Sequence, residues 1–218
     1  MLLSSLSNRP LYKYMQSKYK MSMLAFGKMR IGTLRDFQKV EEYGSEVGDA
    51  GEGTKSAYED KPDIVWGTAD VPPLVKRLVS YPDNATVTFW DCDFQLTQKS
   101  PDCYIYCVAE EFNKDAMAEF GYDCCIKIND PHMFFYELTR CIHLRHKIKQ
   151  VVLGKCIYTE RRQHYSLQNN IHPSLIKPPR FAYQKEVRAM WIPQDRKIQP
   201  IFVSCPQAMQ FCSVHPLS

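Results

Sequence analysis

The chain has 218 residues, 44% of them hydrophobic, and a formal charge of +4. That length suits a single domain, residues 1–218, with a core that hides roughly 70% of the unfolded surface. The composition excludes a disordered chain, and the mild charge permits an acidic partner without demanding one.

The opening "MLLSSLSNRP" lacks the charged and sustained apolar regions of a secretion signal. No run approaches the ~18 apolar residues of a membrane span. "LYKY", residues 11–14, alternates as a strand does, with Lys13 on one side and Tyr12 and Tyr14 on the other. Ser17 is placed to cap a helix through "KYKMSMLAF", and Gly27 to end it in the left-handed conformation. "MRIGTL", 29–34, follows as a strand. Residues 44–63, "GSEVGDAGEGTKSAYEDKPD", lack a hydrophobic period and read as a long loop.

"PPLVKRLVSY" predicts a short helix. "ATVTFWDCDFQLTQ" and "CYIYCVAEEF" predict strands, "NKDAMAEFG" a helix ending at Gly121, and "DCCIKIND" another strand. "PHMFFYELTRCIHLR" has helical spacing with Pro131 at its start, and "KQVVLGKCIYT" returns to strand. Residues 160–180 are polar and punctuated by proline, as a loop is. "FAYQKEVRAMW", 181–191, and "IQPIFVS" complete a series of strands with a few helices between them. This order predicts an α+β fold with mainly antiparallel pairing and short helices. There is no GxGxxG or Walker loop.

Nine cysteines form no paired metal-knuckle spacing. Cys103 and Cys107 sit in an apolar run, so reduced thiols in a cytoplasm, without metal, are expected. Arg140, Arg145, Lys147 and Lys149 form a basic run. It suits the C-terminal end of a helix dipole or, alternatively, phosphate contacts with a nucleic acid.

In a strand over 181–191, Gln184, Glu186 and Arg188 share one face. That face is either a solvated surface carrying an ion pair, or the wall of a cleft whose carboxylate stabilises a cationic centre. Asp49 and Glu52 in "GDAGEG" are a second pair of candidate carboxylates. With Glu186, and with Lys185 or Lys55, they could hold Mg²⁺ in a metal-dependent nuclease.

Gln184-Lys185-Glu186 resembles the [Glu/Gln]-x-Glu element of the ADP-ribosyltransferase superfamily. "LYKY", the helix ending in glycine, "MRIGTLRDF" and "GDAGEG" are similar to a bacterial and phage family of that layout. The resemblance implies a split antiparallel sheet and use of NAD. It places Glu186 on the nicotinamide ribose and Gln184 on the acceptor, a protein or a nucleic-acid base. Lys13, Tyr14 and Arg30 would hold the dinucleotide. It also leaves open the same fold acting without chemistry, as an interaction protein in a phage–host conflict.

Overall fold

A computed structural model describes residues 9–38, 49–61, 63–68, 70–82, 86–167, 170–195 and 197–217. The first strand, β1 (Leu11–Met15), leads through a 3-10 turn at Ser17–Tyr19 into α1 (Lys20–Phe26), then β2 (Lys28–Thr33) and the single turn α2 (Leu34–Phe37). Ser17 does not cap α1. Its N–H and hydroxyl both bind Asp123, each at 2.6 Å, which fixes the helix entry to a distant loop. Gly27 does end α1, at φ +63°, and its N–H donates to the Met23 carbonyl at 2.7 Å. A Cβ at residue 27 would collide with the backbone of Cys205 and Pro206, so glycine is required twice over.

The middle of the chain adds β3 (Thr54–Glu59), β4 (Asp63–Val65), α3 (Pro73–Leu78), β5 (Thr88–Trp90), β6 (Phe94–Lys99) and β7 (Tyr104–Ala109). It continues through α4 (Lys114–Glu119), β8 (Cys124–Ile128), α5 (Pro131–His143), β9 (Ile148–Lys155), β10 (Ile157–Tyr158), β11 (Arg162–His164) and β12 (Ile176–Lys177). The chain closes with β13 (Glu186–Pro193), β14 (Ile201–Ser204), α6 (Pro206–Met209) and β15 (Cys212–Val214). The result is one α+β domain whose main sheet has eight strands, all paired antiparallel.

Strand β7 is the hinge of this sheet. Along one edge it pairs with β13 from Tyr104↔Trp191 to Ala109↔Glu186. Its other edge is divided. β2 takes Tyr104 and Ile105, while β1 takes Ala109. Residues 106–108 have no strand partner on that edge, and β1 and β2 part around them.

One face of the sheet is the larger core. Trp191, Val187, Tyr106 and Ile126 pack there against Met23 of α1, Phe134 and Leu138 of α5, and Met209 of α6. Asp130 caps α5 by accepting from the Met133 N–H at 3.0 Å, and Pro131 occupies its first turn. Trp191 donates its indole N–H to Thr139 on α5 at 3.0 Å, which satisfies the only polar atom of a fully buried ring. The opposite face carries a smaller cluster around Leu34, Ile105 and Met190. Beside that cluster lies the cleft.

Three further expectations are corrected. The long loop expected over 44–63 contains a strand, β3, paired with β6 from Thr54↔Lys99 to Glu59↔Phe94; its first residues, 44–48, lie outside the described residues. The alternation was hidden because two of its three inward positions are Lys55 and Glu59, buried beside Ala57. Residues 160–180 are likewise not continuous loop. β11 pairs in parallel with β3, and β12 with β10. Finally, the strand expected over 181–191 starts only at Glu186. Pro178 and Pro179 open a 3-10 helix, Pro179–Gln184, and Lys185 ends it in the left-handed conformation at φ +42°.

Candidate active site

The cleft opens where β1 and β2 diverge, with a volume of about 640 Å³. Lys13, Tyr14, Arg30, Gln184 and Glu186 all line it, together with Lys177, Arg188, Tyr106 and Cys107. Lys13 and Tyr14 come from β1, Arg30 from β2 and Glu186 from the far side of β7. Gln184 does not reach the cleft as a strand neighbour of Glu186. The left-handed Lys185 turns the chain between them, so the end of the 3-10 helix delivers the amide.

Glu186 sits at the centre of a buried polar network. Its Oε2 accepts from Lys177 Nζ at 2.7 Å and its Oε1 from Arg188 Nε at 2.7 Å. Arg188 continues to Glu52, with Nη1 to Oε1 at 2.6 Å and Nη2 to Oε2 at 3.1 Å, and Nη1 also donates to the Ser174 carbonyl at 2.6 Å. Lys177 also donates to Gln184 Oε1 at 2.6 Å. Two carboxylates thus meet two cations, which makes burial of all four tolerable. The Glu186 backbone N–H donates to the Tyr158 hydroxyl at 2.7 Å.

Charge states follow from these contacts. Burial alone would push the Glu186 carboxyl up, but Arg188 and Lys177 overcome it and hold the group well below the usual carboxylate range. Burial pushes the Cys107 thiol well up, with the charge of Glu186 adding to it, which favours the protonated thiol. Lys13 donates to the Cys107 carbonyl at 2.9 Å and lies 4.5 Å from the centre of the Tyr106 ring. It supplies a donor to the edge of β7 that no strand covers. Burial lowers its ammonium below the ordinary value.

The Tyr14 hydroxyl donates to the Glu111 carbonyl at 3.1 Å and accepts from the Asn113 N–H at 2.8 Å, so the tyrosine anchors the segment after β7. Burial pushes its hydroxyl up to about 12. Arg30 holds Asp36 at 2.8 Å at the side of the cleft, where Asp36 also completes a capping box with Thr33 at the start of α2.

Lys177 was not singled out from the sequence, because nothing in "LIKPPR" signals a buried lysine. Glu52 was singled out as a loop carboxylate, and here it is the bidentate partner of Arg188. Asp49 turns instead to Arg161, with Nη1 to Oδ1 at 2.9 Å. Asp49, Glu52 and Glu186 therefore do not make a metal cluster among the described residues. Arg140, Arg145, Lys147 and Lys149 are exposed, and none lines the cleft. All nine cysteines are free thiols. No helix among the described residues is long and apolar enough to cross a membrane.

Compared with protein-family models, curated proteins and solved structures, the chain matches none. The class defined by fold and site is therefore an α+β domain with a divided central sheet and a carboxylate-centred cleft.

Proposed function

We propose that this chain is an ADP-ribosyltransferase-like enzyme that uses NAD in the cleft. The observation that carries the reading is that Glu186, held ionised, shares one cleft with Lys13, Tyr14, Arg30 and Gln184. The donor set suits a dinucleotide. Aromatic walls at Tyr12, Phe37, Phe120 and Tyr122 offer faces for two ring systems, and Lys13 and Arg30 offer cations for a pyrophosphate. Glu186 and Gln184 offer the acceptors and donor that ribose hydroxyls need.

NAD supplies an ADP-ribosyl group when its nicotinamide leaves. The part played by Glu186 is electrostatic. A fixed negative charge in a site shielded from water stabilises positive charge on the sugar more strongly than water does. Lys177 and Arg188 orient the carboxylate and keep it deprotonated. Gln184, held by Lys177, positions the incoming acceptor.

A second reading, binding without chemistry, is favoured by one specific contact pattern: both oxygens of Glu186 are already engaged by cations. The two readings separate on incubation with NAD and cell extract, followed by mass spectrometry for an added ADP-ribose. The transferase reading expects transfer by wild type and a loss of about a hundredfold or more in Glu186→Gln, the scale of comparable electrostatic deletions. Glu186→Asp guards against a folding artefact, because it keeps the charge while drawing it back from the cleft. It should fold and still transfer poorly. Undiminished transfer by a folded Glu186→Gln would overturn the reading.

A further inference from the structure

The mouth of the cleft has a composition unlike the rest of the chain. Residues 9–35 contain seven Lys and Arg and no Asp or Glu, in a chain whose totals are nearly balanced at 28 and 24. Residues 197–217, which contribute Phe202 of β14 to it, also contain no Asp or Glu. Asp36 pairs with Arg30, Asp102 with Arg35, and Glu186 with Lys177 and Arg188, while the exposed Asp123, hydrogen-bonded to Ser17, keeps its charge beside Lys18.

Flat rings stand among these cations. Phe202 is 75% exposed, Phe26 60% and Tyr19 54%. Aromatic rings this exposed lose the burial that normally stabilises them unless something covers them. Phe202 lies opposite Arg30 in the β14–β2 ladder, and Ser204, two residues further along β14, donates to the Phe26 carbonyl at 2.7 Å. Lys28 Nζ lies 5.6 Å from the Phe26 ring centre, and Lys18 Nζ lies 5.0 Å from that of Tyr19. Tyr19, Lys28, Arg30 and Phe202 all line the cleft.

We propose that this mouth docks single-stranded nucleic acid and presents one of its bases to the cleft. Exposed rings beside Lys18 and Lys28, on segments with more cations than carboxylates, meet the two needs of an unpaired strand: stacking for its bases and counter-charge for its phosphates. A duplex hides its base faces and could use only the lysines. In one respect the proposal rests on the transferase reading: it makes nucleic acid the acceptor. The docking itself stands apart from the chemistry.

The test is fluorescence anisotropy with a labelled oligothymidylate about 12 nucleotides long, within the span of known single-strand sites. Wild type should bind it, more weakly as salt rises. Phe202→Ala, at an exposed position that should not disturb folding, should weaken binding roughly fivefold to a hundredfold. Lys18→Ala with Lys28→Ala should weaken it and flatten the salt dependence. Binding is measured without NAD, which separates docking from transfer. Loss of NAD chemistry with docking intact would refute only the transferase reading. The docking proposal fails if wild type does not bind, if Phe202→Ala binds unchanged, or if a duplex or polyglutamate binds as tightly as the single strand.

Discussion

Glu186 exchanges water for Lys177 and Arg188, and that exchange determines how the residue responds to acid and to substitution. Its folded carboxyl is held below the ordinary range, as is that of Asp49, where the hydrogen bond and charge of Arg161 outweigh burial. A carboxylate depressed in the folded state adds stability that is complete above its unfolded value near 4.5 and fades as pH falls toward its folded value. The thermal midpoint of wild type should therefore drop steadily below about pH 5. That drop should be shallower in Glu186→Gln, which has already lost the group. At neutral pH the same variant should be destabilised by about 2–4 kcal/mol in denaturant titration, because it leaves a buried cation without its counter-charge. An acid profile unchanged by the substitution would mean that the ion pair adds nothing to stability. The shared face of Glu186 and Arg188 was legible from strand alternation. Their burial was not, because the partners come from elsewhere in the chain: Glu52 lies 136 residues from Arg188, and Lys177 lies within the stretch, 160–180, that reads as polar loop.

At the level of elements, local chemistry was readable at several helix ends, though not at Ser17, which Asp123 takes from 106 residues away. Gly27, Gly121 and Pro131 mark helix ends because capping and backbone conformation are short-range effects. Gly27→Ala should destabilise the fold by about 2 kcal/mol or more, since it adds left-handed strain to a collision with the Cys205 backbone. The check is the shift in denaturant midpoint, and a neutral result would mean that α1 and the start of α6 can move apart freely. Strand β3 escaped notice because its buried side includes a lysine and a glutamate. Lys55 donates to the Ile171 carbonyl at 2.9 Å, a partner supplied by tertiary structure alone. The 3-10 helix over Pro179–Gln184 was masked in the same way, by aromatic residues with β propensity that follow two prolines.

For the whole molecule, the antiparallel α+β class followed from the order of elements. The division of the β7 edge between β1 and β2 did not, because pairing partners are set by contacts distant in sequence. That division brings residues 13, 30 and 186 to one cleft, and the proposed activity rests on it. The most direct measurement is release of nicotinamide from NAD by purified protein, followed by chromatography, in wild type and Glu186→Gln at temperatures where both are folded. The account predicts steady release by wild type and a rate lower by about a hundredfold or more in the variant. Equal release by both proteins, or none by wild type when oligothymidylate or cell extract is present, would contradict it.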